Sequence, residues 1–324
     1  MRRFALAALL LVAGCVARPP EGSAVAVSAS SVAFSTDPAA TQSGRLRAMG
    51  GLVFASTDPR FGGLSGLRVR ADGWALAVSD TGAWAGFRLV ERGGRLTGIE
   101  RFAFAPMRDA RGNPPAAKDD ADAESLEWRA DGSVTVGFEQ DHRFETFTGI
   151  DPSRSASFAA RPATVSRPNF IREWPKNGGA EAFAALGPDS DLVISEHALL
   201  ASDVHDTGVT FDGQLIRCGT RMPTGFVPTE AVSLGQGRAL LLGRHFTKAD
   251  GVSAVVVLAD YSNAKPGATI ETRELARLAP PMTVDNMEGM ALRREGSRTF
   301  IYLISDDNQD KAQRTLLLKF ELLP

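Results

Sequence analysis

The sequence is poor in cysteine, and it lacks an excess of charge of either sign. Its two cysteines lie far apart in 324 residues, which excludes the disulfide framework of small secreted proteins. A formal net charge of −2 gives no bulk electrostatic reason to bind nucleic acid. No apolar run reaches the ~18 residues of a membrane-spanning helix, and no G-x-S-x-G sequence provides a serine nucleophile. We therefore expect a globular protein held by its core, without a covalent serine and without a nucleic-acid partner.

The N-terminus has the order of a secretory signal. Arg2 and Arg3 precede an apolar run at residues 4–12, and small residues follow up to Cys15. The ending LVAGC resembles a bacterial lipobox, in which the cysteine is lipidated and becomes the mature N-terminus. A plain signal peptide with an incidental cysteine is the alternative. Lipidation of Cys15 would leave Cys218 without a partner, and we expect Cys218 to be a small buried residue.

These N-terminal features divide the chain into three predicted regions. We predict a lipoprotein signal peptide at residues 1–15, a flexible tether rich in Ala, Ser and Pro at residues 16–43, and one domain at residues 44–324. The expected location is the periplasm or the outer membrane of a bacterium, with membrane contact only through the lipid anchor.

An acidic anchor followed by a turn and an apolar run recurs along the chain. Successive anchors lie 49 to 59 residues apart, which is the size of one four-stranded propeller blade with its loops. A weaker copy begins at Ser65. The four glutamate anchors are Glu124, Glu181, Glu230 and Glu288.

Short apolar runs bounded by Gly and Asp indicate strands, and amphipathic helical patterns are scarce. We predict an all-β fold, a β-propeller with five or six blades. Residues 44–55 are expected to pair with residues 315–322 and close the ring. A pair of twisted β-sandwiches is the alternative, but it gives no reason for regularly spaced glutamates.

The repeat predicts a cluster of carboxylates. The first strand of each blade lines the central channel, so equivalent residues at its start meet at one opening. Crowded carboxylates repel unless a cation lies among them or their pKa values rise, and oxygen-rich clusters suit Ca²⁺. Glutamates that merely cap turns are the alternative. The predicted metal ligands are Glu124, Glu181, Glu230, Glu288, Asn286, Asp306 and Asp307.

Other polar residues fall at the return end of each hairpin. His142, His197 and His245 lie there and could instead hold Zn²⁺ or another divalent metal. Arg143 and Arg244 share this register, and they would either orient an anionic substrate or neutralise the carboxylates. Further candidates at these ends are Asp80, Glu139, Glu196 and Asn308.

Seven segments that span nearly the whole domain carry a resemblance. They are DPRFGGLSGL (58–67), SDTGAW (79–84), KDDADAESLEW (118–128), FEQDHR (138–143), NGGAEAF (177–183), LAPPMTVDNMEGMAL (278–292) and ISDDNQDKAQRTLLL (304–318). Together they resemble the bacterial phytase-like proteins described by esterase-like activity of phytase. The resemblance implies a β-propeller that hydrolyses phosphate or carboxylate esters. It highlights Asp122, Glu124, Glu139, His142, Arg143, Glu181, Glu230, Asp285, Asn286, Glu288, Asp306, Asp307 and Asn308.

The leading hypothesis is a metal-dependent hydrolase of phosphoesters or related small-molecule esters, with Ca²⁺ or another divalent ion. A non-catalytic binding propeller with a structural calcium and a lactonase-type hydrolase stay open, because the fold does not decide among them. We expect a monomer. The predicted catalytic residues are Glu139, His142, Arg143 and Arg244.

Overall fold

A computed structural model describes residues 25–324, which form 23 strands in five sheets. The predicted signal peptide and its Cys15 lie outside this range. The five sheets are the blades of a β-propeller, so of the two predicted blade numbers five is confirmed. Within the described range no helix is long and apolar enough to cross a membrane.

The N-terminal strands complete the last blade. They are β1 (Ser28–Ser31), β2 (Gln42–Ser43) and β3 (Leu46–Ala55). Strand β3 pairs antiparallel with the C-terminal strand at residues 315–322, as the sequence predicts for ring closure. Residues 28–31 and 42–43 pair with β3 and are not a flexible tether, which corrects that part of the prediction. Strand β1 covers the edge that β3 would otherwise expose.

The other strands follow in chain order, and most blades begin at the axis and proceed outward. Blades one and two consist of β4 (Leu64–Val69), β5 (Trp74–Ser79), β6 (Ala83–Arg92), β7 (Arg95–Pro106), β8 (Ala123–Trp128), β9 (Val134–Phe138), β10 (Arg143–Phe147) and β11 (Pro162–Ser166). Blades three to five consist of β12 (Ala180–Gly187), β13 (Ser190–Ala201), β14 (Val204–Phe211), β15 (Gln214–Arg221), β16 (Val227–Gly235), β17 (Arg238–Thr247), β18 (Gly251–Asp260), β19 (Thr269–Glu271, joined to blade three), β20 (Arg273–Leu278), β21 (Asn286–Glu295), β22 (Arg298–Asp306) and β23 (Thr315–Leu322).

Within residues 25–324, helical structure is confined to connections between strands. A single turn of helix, α1 (Lys118–Ala121), precedes β8, and two 3-10 helices lie between β10 and β12 at Ser155–Ala159 and Asn169–Glu173.

The five inner strands β4, β8, β12, β16 and β21 lie side by side around the axis. They all start on one face of the disc, which we call the upper face, and end on the lower face. The first two strands of each blade are antiparallel, so the second strand of each blade returns to the upper face. The starts of the inner strands and the ends of the second strands therefore meet at the upper mouth of the channel.

Apolar side chains fill the five interfaces between neighbouring blades. Between blades one and two, for example, Leu76 and Trp84 pack with Leu126 and Val136, and all four are fully buried. The second strands are therefore buried on both faces and read as continuous apolar runs. A sandwich would leave one face of each sheet in solvent, so the sandwich alternative is wrong.

Candidate functional site

Each inner strand carries a bulge near its start. Pairing with the second strand slips by one residue in all five blades, and a bulge redirects the side chain of the extra residue. In blades two, three and five that residue is Glu124, Glu181 or Glu288. Blade four has Thr229 at this position, and in blade one the irregularity includes Ser65. Three of the predicted glutamates thus point into the same mouth.

Glu230 lies one position beyond the bulge, and this corrects the prediction that it joins the other three. It is fully buried, and its Oε2 accepts a hydrogen bond of 3.0 Å from Arg68 Nη1. Its Oε1 accepts the N–H of Ala231 at 2.9 Å. A shift of one residue along a strand reverses the direction of the side chain, so Glu230 is directed to the axial arginine and not to the mouth.

The Arg68 guanidinium fills the axis below the mouth, and it bonds to every inner strand. It donates to the carbonyl oxygens of Leu67 at 2.7 Å, Phe183 at 3.0 Å, Ala231 at 3.0 Å and Met290 at 3.1 Å, and to Glu127 Oε2 at 2.9 Å. The five blades therefore converge on one side chain, which also carries the counter-charge for Glu230.

A cavity of about 150 Å³ occupies the upper mouth. Eight carboxyl groups line it but only two cations, so it is strongly anionic unless protons or metal ions neutralise it. The lining residues are Asp80, Asp122, Glu124, Glu139, Glu181, Glu196, Glu288, Asp306, Lys118, Arg244, Asn177 and Asn308.

The ends of the second strands supply a further set of side chains that line the cavity. Asp80, Glu139, Glu196, Arg244 and Asp306 each follow the residue that pairs with the inner strand just before its bulge. They are therefore equivalent positions of the five blades. Four carry an acid and blade four carries Arg244, so the site is asymmetric around the axis.

Glu139 is shared by two groups of converging carboxylates. Oxygens of Asp122, Glu124 and Glu139 lie within 4.8 Å of one another, and so do oxygens of Glu139, Glu181 and Glu196. Glu139 Oε1 accepts the N–H groups of Gly178 and of Gly179, the latter at 2.8 Å. These two bonds fix the carboxylate and leave its Oε2 for a ligand.

Burial dominates the acid–base behaviour of this cluster. It raises the pKa of Glu124 and of Glu181 well above the usual range, and the neighbouring carboxylates add to the effect. Burial likewise raises the pKa of Glu288 to about 8 and that of Asp306 to about 7. Near neutral pH the cluster therefore retains protons unless a cation displaces them.

The donor set fits a hard divalent cation. Asp122 is 2% exposed, and its Oδ1, like Oδ1 of Asp80, is buried without a hydrogen-bond partner. A buried oxygen without a partner is costly, and a cation would supply one. The two converging groups contain carboxylates alone. Oxygen donors of this kind favour Ca²⁺ or a similar ion over Zn²⁺.

The two cationic side chains of the cavity, Arg244 and Lys118, lie on different parts of its wall. Arg244 contacts Glu196 Oε1 through Nη2 at 2.6 Å and Glu288 Oε1 through Nε at 2.9 Å. Lys118, at the start of α1, places its Nζ 2.9 Å from Asp80 Oδ2 and 3.6 Å from Asp122 Oδ1. The sequence assigned no role to Lys118, because it lies in a connection between blades and outside the strand register.

Two of the four predicted catalytic residues do not line the cavity. His142 Nε2 contacts the carbonyl oxygen of Pro175 at 3.0 Å, and its ring packs against Gly179, where a Cβ would come within 2.6 Å of it. Arg143 donates to Glu145 Oε1 and to the carbonyl oxygen of Asp120, both at 2.7 Å. Both residues come after the end of β9, beyond the position that faces the cavity. Their side chains therefore bond to neighbouring segments behind Glu139.

The other two predicted histidines lie at the rim. His197 Nδ1 is 2.7 Å from Glu196 Oε2, and this contact raises the pKa of His197. His245 Nδ1 contacts the carbonyl oxygen of Gly225 at 2.8 Å. The three histidines thus have separate partners and do not form the alternative site for Zn²⁺.

The remaining predicted ligands support the wall. Asp307 accepts the hydroxyl of Thr315 at 2.8 Å and the N–H of Gly63 at 3.1 Å, so its oxygens are already bonded. The Asn286 amide bonds to Glu288 and lowers the pKa of that carboxyl, against the larger effect of burial.

Comparison with known proteins identifies a family. The family described as esterase-like activity of phytase matches residues 59–309. No curated protein matches the chain.

Solved structures that resemble the chain include virginiamycin B lyase from Staphylococcus aureus, at 8% identity and a TM-score of 0.41, covering 92% of this chain and 100% of the lyase. An α-L-arabinofuranosidase from Podospora anserina with bound cellotriose has 12% identity and a TM-score of 0.46, covering 87% and 98%. By its match over residues 59–309, the chain belongs to the phytase-like family described as esterase-like activity of phytase.

Proposed function

We propose that the chain is a hydrolase of phosphoesters or related small-molecule esters that depends on a divalent cation at the upper mouth. The observation that carries this proposal is the convergence of eight carboxyl groups from blades one, two, three and five around one cavity. Membership of a family named for esterase-like activity supports the hydrolase class.

Asp122, Glu124, Glu139, Glu181 and Glu196 would hold the ion, because their oxygens form the two converging groups. When bound, a divalent cation would polarise the ester and increase the acidity of nearby water. We propose Ca²⁺ as this ion, with another divalent ion as the alternative.

Arg244 would orient the anionic part of the substrate. Its side chain is 30% exposed at the rim, and its planar guanidinium suits a phosphate or carboxylate in two-point contact. His197, paired with Glu196 and half exposed, is placed to donate a proton to a leaving group at the rim. In this proposal His197 replaces the buried His142.

The proposal is tested with the full chain stripped of metal by a chelator. A panel of a chromogenic phosphomonoester, a carboxylester and a lactone is offered with and without added Ca²⁺, Mg²⁺ or Mn²⁺. We expect turnover of at least one ester only when a divalent ion is present. No turnover, together with a Ca²⁺-dependent rise in melting temperature, would instead support a binding propeller with a structural ion.

A matched pair of variants locates the activity. Glu181→Gln removes a proposed ligand, and we expect kcat/KM to fall by at least about 100-fold. Glu274→Gln removes a half-exposed carboxylate that pairs with Arg277 on the outer strand β20, and we expect it to leave kcat/KM unchanged. Equal effects of the two substitutions would contradict the assignment of the site.

We also propose that the protein is an exported lipoprotein attached through Cys15, and that it acts as a monomer. The order of charged, apolar and small residues before Cys15 supports the first statement. Mass spectrometry of the mature N-terminus tests it, since a lipidated protein would begin at Cys15.

A further inference from the structure

The upper face carries an exposed group of large hydrophobic side chains. Among residues 25–324, five large hydrophobic side chains are exposed, and three of them are Leu199 and Leu200, each 55% exposed, and Phe246, 63% exposed. Leu199 and Leu200 lie in β13, and Phe246 lies in β17. These are the second strands of the neighbouring blades three and four.

Both strands project beyond the position where the other second strands end. Strand β13 runs six residues past Ser195, and β17 runs four residues past Gly243, although these two residues are equivalent in the blade register. The other second strands stop at or next to the equivalent residue. The three apolar side chains therefore stand on two extensions above the upper face. We call them the apolar tips.

The N-terminus of the described chain emerges on the same face. Strand β1 begins with Ser28 opposite Ala55, at the upper end of β3. The hydroxyl of Ser56 donates to the carbonyl oxygen of Ala26 at 2.7 Å and holds the preceding residues at that end. Any membrane attachment in the first residues, through Cys15 or through the apolar run at residues 4–12, would therefore be connected to the domain at its upper face.

The length of the segment between Cys15 and the domain restricts which face of the domain an anchor can bring to a membrane. Val25 comes ten positions after Cys15, and a fully extended segment of that length spans at most about 35 Å. Strand β3, with ten residues, crosses the side of the disc from the lower face to the upper face, which is about 33 Å at the rise of a strand. An anchor could bring the lower face to a membrane only by running fully extended along the whole side of the disc.

We propose that the upper face docks on a lipid bilayer, with the apolar tips Leu199, Leu200 and Phe246 inserted among the lipids. Apolar side chains that cost free energy in water are stabilised when they enter the acyl boundary. This contact is additional to a lipid anchor and does not depend on the hydrolase function. In this orientation the carboxylate cavity opens toward the headgroup region.

The test measures the depth of two labels on the full chain in vesicles of phosphatidylethanolamine and phosphatidylglycerol. Lys248→Cys places a thiol on the exposed turn that follows Phe246, and Ala130→Cys places one on the lower-face turn between β8 and β9. Cys218 is buried, and burial raises its pKa to about 11, so it does not compete for the label. The unsubstituted chain, treated in the same way, gives the background.

An environment-sensitive fluorophore on residue 248 should shift to shorter wavelength and lose several-fold in intensity when the lipids carry a doxyl quencher. The fluorophore on residue 130 should change in neither respect. Equal quenching at the two positions, quenching at 130 alone, or quenching at neither would overturn the proposal.

A second comparison assigns the contact to the apolar tips. With the label on residue 248, the triple variant Leu199→Ser, Leu200→Ser, Phe246→Ser should lose the quenching. The control variant Val165→Ser, Leu215→Ser removes the other two exposed large hydrophobics, which are 41% and 44% exposed and lie outside the two extensions. It should keep the quenching, and the same loss in both variants would contradict the assignment.

Discussion

At the scale of single residues, Arg68 bonds to an inner strand of every blade. Its side chain is only 10% exposed, and it faces two carboxylates, Glu230 and Glu127. Its hydrogen bonds to four backbone carbonyl oxygens reach β4, β12, β16 and β21, and its bond to the Glu127 carboxylate reaches β8, so one side chain joins all five inner strands. A buried guanidinium in this position is stabilised only as long as its partners are present.

Arg68→Met should lower the free energy of unfolding by about 3–5 kcal/mol, because it leaves Glu230 buried without its counter-charge. Urea unfolding of the two proteins measures the difference. The double variant Arg68→Met, Glu230→Leu should lose less stability than the single one, because it removes the orphaned charge as well. The control Arg70→Met alters a partly exposed ion pair with Asp72, and a loss as large as that of Arg68→Met would refute the axial role.

Lys118 competes with a cation for the same carboxylates. Its Nζ lies near Asp80 and Asp122, and its side chain is 64% exposed. Lys118→Met removes a positive charge from beside the proposed ion. At the high effective dielectric constant of the rim, the repulsion between this charge and the ion costs about 1 kcal/mol of binding free energy. Ca²⁺ should therefore bind about fivefold more tightly, as measured by isothermal titration calorimetry. Lys311→Met, another exposed lysine of the upper face, should not change the affinity.

At the scale of strands, the bulge in each inner strand decides which acids face the cavity. Glu288→Gln should weaken Ca²⁺ binding by tenfold or more, because Glu288 is the bulged residue of β21 and lines the cavity. Glu230→Gln should leave the affinity within about twofold, because its carboxyl lies past the bulge of β16 and pairs with Arg68. Calorimetry on both variants tests this, and a reversed order would mean that the register is misassigned.

The sequence predicts the strands and the blades well, because the repeat spacing and the apolar runs report on them directly. It also identifies Glu124, Glu181 and Glu288 as residues that meet at one mouth. It fails at Glu230, because the sequence E-A-V looks like the other anchors while the bulge falls on the preceding Thr229. A shift of one residue cannot be read from spacings that vary between 49 and 59 residues.

The sequence also does not predict the positions of residues that lie outside the strand register. Lys118 reaches the cavity from a turn between blades, and only the path of that connection brings its side chain back to Asp80. His142 was aligned with His197 and His245, although it follows Glu139 by three residues whereas His197 directly follows the equivalent Glu196. Such positions depend on loop conformation, which local sequence patterns determine weakly.

At the scale of the whole molecule, the buried carboxyls couple folding to pH. The pKa of Glu288 rises from 4.5 to about 8 and that of Asp306 from 3.8 to about 7. The folded chain therefore binds more protons than the unfolded chain between these values, and its stability falls as pH rises. The contribution of these groups is fully present below about pH 4 and is lost by about pH 8.

Without divalent ions, the melting temperature should therefore decrease from about pH 5 to about pH 8. Millimolar Ca²⁺ should remove or reverse this decrease, because the ion stabilises the ionised carboxylates and binds better as they lose protons. Differential scanning calorimetry at several pH values, with chelator or with Ca²⁺, measures both effects. A melting temperature that rises with pH in chelator would show that the cluster is ionised without a cation.

The closure of the ring by β3 has a consequence for biosynthesis. The partner of β3 is β23, at residues 315–322, so an early strand of the polypeptide must wait until a much later one has left the ribosome. If the chain crosses a membrane as an unfolded thread, its first strand reaches the other side long before its partner does. The final blade, and with it the full set of cavity carboxylates, can then form only after β23 has crossed as well.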